Sequence, residues 1–210
     1  RDTDRSRGLG DVYKRQLEKY ANARVICDDV MRTNLSALVA EAFGADCPSL
    51  RVAANLPYYI TTDVLTKLMR ELPQAKSIAV MIQKEVGDKL LSGPGDDGYG
   101  PLAVMCQYRY HVMRALDVPA ACFNPPPKVK SAVIRLRRNG VVRLACDERL
   151  FVRVVKASFG QRRKMLRNSL RAAFGDFGGA EHPFFSQRAE QLSVADFVAL
   201  TQWVEQRIGG

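Results

Sequence analysis

Leu50-Arg51-Val52-Ala53-Ala54-Asn55-Leu56-Pro57-Tyr58 begins as a short apolar run and breaks on a proline. Bounded in this way, the run reads as a short strand that ends in a turn. Thr61 or Thr62 then caps a helix carrying Val64, Leu65, Leu68 and Met69. A strand that turns directly into a helix is the repeating unit of an α/β fold, and in open α/β sheets ligands collect beyond the carboxyl ends of the strands. Asn55–Tyr58 stands at such an end.

The same alternation continues on both sides. Downstream, Ser77–Ile82 reads as a second buried strand, 84–91 as a helix, Gly93–Gly100 as a flexible loop, and 101–118 as a helix start followed by a strand around Tyr108–Val118. Val129–Leu136 alternates as a last strand. Upstream, a short helix end at 17–21 leads into Ala23–Cys27, an apolar run read as a buried strand closing on Asp28-Asp29. Leu35, Leu38, Val39, Ala42 and Phe43 recur at helical spacing over 34–44, with Gly44 as the stop. From 147 onward the pattern turns helical, over 148–159, 162–174 and 193–207. The expectation is an α/β domain with a mostly parallel sheet and a small C-terminal helical domain.

The residue types at the strand end suit one chemistry. The exocyclic N6 of adenine is a poor nucleophile, because its lone pair is delocalised into the ring. A site that methylates it must hold the amino group and favour a pyramidal nitrogen. The Asn55 side-chain oxygen and the Leu56 carbonyl can each accept one N6–H, Pro57 fixes the backbone that aims them, and Tyr58 offers a face for a base drawn out of its own stack. No strong base is required, since the nitrogen becomes acidic once the methyl arrives. In Phe123-Asn124-Pro125-Pro126-Pro127-Lys128-Val129-Lys130-Ser131, three prolines hold a loop extended so that Phe123 can supply a second aromatic face. Each stretch also has a plainer reading: a strand-end turn for the first, a stiff connector with Phe123 in the core for the second.

The net charge of +10 is concentrated. Residues 128–171 hold 14 Lys and Arg against Asp147 and Glu148, so the remainder of the chain is slightly acidic. Confined basic charge points to a polyanion, here RNA. Lys128, Lys130, Arg162, Arg163, Lys164, Arg167 and Arg171 are the candidate contacts. On a helix over 162–174, Arg163, Arg167 and Arg171 would share one face, with Met165, Leu166 and Leu170 turned to the core. An exposed basic face without a partner is the plainer reading. Five cysteines without CxxC spacing and two unpaired histidines give neither a disulfide framework nor a metal site, and no metal is expected. Without an apolar run long enough for a bilayer, a cytoplasmic monomer is expected.

Asn55-Leu56-Pro57-Tyr58-Tyr59-Ile60-Thr61, then Phe123–Val133, then Phe159-Gly160-Gln161-Arg162-Arg163-Lys164-Met165-Leu166-Arg167-Asn168-Ser169-Leu170, in this order and spacing, resemble the ribosomal RNA adenine N6,N6-dimethyltransferases. Gln83-Lys84-Glu85-Val86 and the Tyr99-Gly100 loop match as well, and the resemblance spans about 17–207. Leu56 and the long basic C-terminal region favour the bacterial small-subunit enzymes. The resemblance implies a Rossmann-like class I methyltransferase sheet, S-adenosyl-L-methionine as cofactor, and two adjacent adenosines near the 3′ end of small-subunit rRNA as substrate, within a pre-30S particle. It assigns Asp29 to the cofactor's adenine amino group, with Asp28 as its rival, and Asn55 to both cofactor and target base.

The family's Gly-rich cofactor loop and second-strand acid have no counterpart here; Gly8-Leu9-Gly10 follows charged residues rather than a buried strand. Residues 1–16 therefore read as foreign to the fold, 17–140 as a partial methyltransferase domain lacking its first strands, and 147–210 as a helical RNA-binding domain. Cofactor binding by such a chain is expected to be impaired. Two further readings stand beside this one: an adenine-N6 methyltransferase acting on large-subunit rRNA or DNA, and a non-catalytic rRNA-binding assembly factor.

Overall fold

The computed structural model describes residues 17, 19–44, 47–140, 145–161 and 163–208. They fall into two compact units, one comprising the chain up to Asp46 together with Asp63–Pro73, the other Cys47–Thr62 together with Gln74 onward.

In the first unit, helix α1 (Leu35–Phe43) begins where the Asn34 side chain accepts from the Ala37 N–H, and ends at Gly44, whose φ of 83° is a left-handed value that glycine adopts freely. Helix α2 runs Thr61–Glu71, so that its first turn belongs to the second unit. Glu71 ties its end to the start of α1. Its carboxylate accepts from Lys67 Nζ at 2.6 Å, Arg70 at 3.0 Å and the Leu35 N–H at 3.1 Å, while its carbonyl accepts from Ser36 Oγ. The Lys67 ammonium, held against it and itself buried, leads in pulling the Glu71 carboxyl down to about 2. A carboxyl whose pKa falls on folding stabilises the fold above its unfolded value, and that contribution disappears as pH drops from about 4.5 towards 2. Acid titration of the folded state should therefore show a loss in that window that Glu71→Gln removes; an unchanged acid limb in the variant would refute the assignment.

Ala23–Cys27 is not a strand. It is irregular coil, mostly exposed, and Asp28 and Asp29 hold a turn after it. Apolar composition suggested a strand, but a strand also needs ladder partners, and among the described residues this segment has none.

The second unit contains a four-stranded sheet of β1 (Arg51–Asn55), β2 (Ser77–Gln83), β3 (Tyr110–Val118) and β4 (Ser131–Arg138), in the order β1-β2-β4-β3. Among the described residues, only β1 and β2 pair in parallel; β4 runs antiparallel to both β2 and β3. The sheet is thus mixed rather than mostly parallel. The cause lies in the connections: β3 and β4 follow one another without a crossover helix between them, joined by the proline loop. Ile78, Val80 and Ile82 stand opposite Leu136, Ile134 and Ala132 across β2 and β4, and all six are fully buried. Helix α3 (Lys84–Leu91) lies close on β4 because Gly87 has no side chain: a Cβ there would come within 2.9 Å of Ile134 Cδ1.

Helix α4 (Pro101–Arg109) starts on a proline at its first position and leads directly into β3. Tyr99, Val104 and Tyr108, on and beside it, share one core with α5 (Glu148–Phe159), α6 (Leu166–Phe174) and α7 (Val194–Ile208). Asp147 caps α5 through the Leu150 N–H, and Ser193 and Asp196 cap α7 reciprocally. Helix α6 begins at Leu166, not at 162: Met165 is extended, and the Leu166 N–H donates to the Gln187 carbonyl instead of entering a longer helix. Met165 is 54% exposed, against the expectation that it faces the core.

Candidate active site

Asn55 ends β1 opposite Met81 of β2, and the Leu56 N–H carries the parallel ladder one step further by donating to the Met81 carbonyl at 3.1 Å. Leu56 is buried and anchors the turn. Pro57 and Tyr58–Ile60 form a single turn of 3₁₀ helix before α2. The Pro57 carbonyl is taken by the Ile60 N–H and by Thr61 Oγ1, so Thr61 bonds back into this turn rather than capping α2 at its N-terminus. Asn55 is exposed, and among the described residues its side chain has no hydrogen-bond partner. The amide oxygen is thus open to a donor from outside.

Asn55, Leu56, Pro57 and Tyr58 line a cavity of about 330 Å³ together with Phe123, Pro125 and Pro127. That is the lower end of the range for small-molecule pockets, enough for a single base. Phe123 is half-buried at the end of a short 3₁₀ turn (Ala120–Cys122) that fixes its backbone. Among the described residues, no ring contact joins Tyr58 to Phe123, so the two aromatic faces border the cavity without closing it. The five residues expected at the target base, Asn55, Leu56, Pro57, Tyr58 and Phe123, thus come together from two separate segments. Pro125 and Pro127 join them as walls, a role beyond the stiffening expected of them. Ser131, which carried no expectation, lies behind Tyr58: its Oγ is 2.7 Å from the Tyr58 hydroxyl.

Asp28 and Asp29 belong to the first unit. Both Asp28 oxygens are engaged, Oδ1 by the Asp29 N–H and Oδ2 by the Thr33 hydroxyl, and the Thr33 bond leads in holding its carboxyl below the usual range. Asp29 Oδ1 accepts from the Met31 N–H, whereas among the described residues Oδ2 faces only exposed Arg32 at 3.6 Å. Asp29 therefore keeps more acceptor capacity than its rival.

The basic residues separate into two kinds. Lys128, Lys130, Arg163 and Lys164 are exposed. Arg163 and Lys164 lie in the turn before α6, so Arg163 does not share a helical face with Arg167 and Arg171. Those two are paired, Arg167 with Glu181 and Arg171 with Asp176. Arg162 lies outside the described residues, as does the 1–16 segment. Sequence spacing also gave no sign of the cluster in which Asp88 and Asp117 neutralise Lys84 and Arg114.

A family model described as ribosomal RNA adenine dimethylase matches residues 4–206. The chain belongs to this family. The match starts inside the first sixteen residues, earlier than the motif resemblance at 17. Among relatives, the chain is 40% identical over 198 residues to the ribosomal RNA small subunit methyltransferase A of Bacteroides thetaiotaomicron, covering 94% of this chain and 72% of that protein. It is 42% identical over 179 residues to the protein of the same name from Parabacteroides distasonis, covering 85% and 65%. Two solved structures share the Rossmann-like methyltransferase fold. A dimethyladenosine transferase from Plasmodium falciparum has a TM-score of 0.66 at 22% identity, over 75% of this chain and 67% of that one. The 23S rRNA methyltransferase ErmE has a TM-score of 0.61 at 21% identity, over 94% and 78%. Among the described residues, no helix is long and apolar enough to cross a membrane.

Proposed function

We propose that the protein is an rRNA adenine N6-methyltransferase that dimethylates two adjacent adenosines in the 3′-terminal hairpin of small-subunit rRNA, acting as a monomer on a pre-30S particle in the cytoplasm. The observation that carries this reading is the Asn55 amide, without a hydrogen-bond partner among the described residues, lining a base-sized cavity together with Tyr58 and Phe123. An adenine drawn from its stack enters between the two rings. Asn55 Oδ1 and the Leu56 carbonyl accept the N6 hydrogens, which turns the nitrogen lone pair out of the ring plane. S-adenosylmethionine supplies an electrophilic methyl when bound, and positioning then does most of the catalytic work. The proton leaves to solvent from a nitrogen that alkylation has made acidic. Asn55 is the residue of the second unit that would hold the cofactor.

The names of the 40%-identical relatives support the small-subunit substrate. Incubating the protein with S-adenosylmethionine and unmethylated small-subunit particles, large-subunit RNA or duplex DNA, followed by mass spectrometry of the nucleosides, tests the reading. It expects N6,N6-dimethyladenosine from the small-subunit particles, at a turnover that impaired cofactor binding keeps low; product only from either alternative would overturn it.

The exposed turn before α6 and the lysines ahead of β4 form the RNA surface. Arg163→Ala with Lys164→Ala should lower the slope of log affinity against log salt by about 1.4–1.8, as loss of two phosphate contacts requires. Arg167→Ala, whose cation is already paired, should change it less. Fluorescence anisotropy across a salt series measures both; equal effects would restore Arg167 as a primary contact.

A further inference from the structure

We infer that Ser131 is a positioning residue that holds the Tyr58 ring for base stacking, an assignment that rests on the reading of the cavity as an adenine site. Ser131 opens β4, one of the two inner strands of the sheet, and its backbone is registered between Gln83 of β2 and Val118 of β3. On the same face of β4, Arg135 and Arg137 are exposed, whereas Ser131 at the cavity end is fully buried. Its hydroxyl reaches out of this fixed frame to the Tyr58 hydroxyl at 2.7 Å.

The need for such a bond follows from how Tyr58 is attached. Its backbone sits in a single 3₁₀ turn, and its ring borders an open cavity, with no ring contact among the described residues to fix its plane. Rotation about its side-chain bonds would close or tilt the slot. One hydrogen bond at the far end of the ring removes that freedom before the base arrives, so stacking costs less ordering. Ser131 also follows the Phe123–Pro127 wall in the chain after a few residues. The same serine thereby refers both walls of the slot to one strand. Ser131 touches neither base nor cofactor in this account; it acts through Tyr58.

The test uses the full chain and a small-subunit rRNA hairpin carrying fluorescent 8-vinyladenosine, which keeps the N6 amino group, at the target adenosine, with the stacked fraction read from fluorescence lifetimes. Wild type should show a stacked population. Ser131→Ala should lower the ratio of stacked to unstacked base by about five- to tenfold, the worth of one hydrogen bond, with hairpin affinity at low salt little changed. Tyr58→Phe keeps the ring and removes the same bond, so it should produce the same loss, and the double variant should lose no more than either single. Ser131→Thr, which keeps the hydroxyl, should retain stacking. Additive losses in the double variant, or wild-type stacking in Ser131→Ala, would overturn the positioning role while leaving the adenine site intact. Absence of a stacked population in wild type would overturn the adenine site and this role with it.

Discussion

Asn55→Ala is expected to lower methyl transfer to RNA by about 10²–10³-fold, the usual cost of removing one preorganised group from the reacting centre. RNA affinity should stay within about twofold, because the phosphate contacts that dominate it lie elsewhere. The reasoning is geometric. Asn55 is the last residue of β1, fixed by its register with Met81, and its exposed amide has no partner among the described residues. Removing it leaves the strand, the turn and the Tyr58 face in place and takes away only the side-chain acceptor for N6. Single-turnover methyl transfer alongside filter binding separates the two quantities. A parallel fall in both would mean that Asn55 supports the turn rather than the reaction.

The second large effect concerns stability. Phe151 on α5 is 1% exposed, and its ring centroid lies 4.2 Å from that of Tyr108, at the end of the helix that feeds β3. It belongs to the core that joins α4 to the C-terminal helices. Phe151→Ala should cost about 3–5 kcal/mol, through lost burial and an unfilled cavity. That is a third or more of the stability of an ordinary domain. Urea unfolding followed by circular dichroism should show a large drop in midpoint with an unchanged slope. A loss below about 1 kcal/mol would mean that the helices do not rely on this shared core.

The strands of the sheet were legible to within a few residues wherever apolar alternation and turn residues agreed, as at Arg51–Asn55, Ser77–Gln83 and Ser131–Arg138. Strand direction was not legible. Periodicity reports which face is buried but not which way the neighbour runs, and the reversal at β4 follows from the proline loop. Ala23–Cys27 misled because a short run with four apolar residues looks alike whether or not a ladder awaits it. The arginine row misled for another reason: helical spacing was extended back through Arg163, while the Leu166 N–H is held by Gln187, a partner about twenty residues away that no local pattern reveals. At the site, Asn55, Tyr58 and Phe123 were legible from residue chemistry. Ser131 was not, since a serine at a strand start is ordinary until its partner 73 positions away is known.

The claim on which the rest depends is that an adenine occupies the slot between Tyr58 and Phe123. Photocrosslinking tests it most directly. A small-subunit hairpin carrying 8-azidoadenosine at either of the two adjacent adenosines is irradiated in complex with the protein, and the adduct is mapped by peptide mass spectrometry. The predicted adducts fall on Tyr58 or Phe123 and vanish when the azido group is moved into the stem. Adducts confined to the Arg163–Lys164 turn, with none at either ring, would contradict the account.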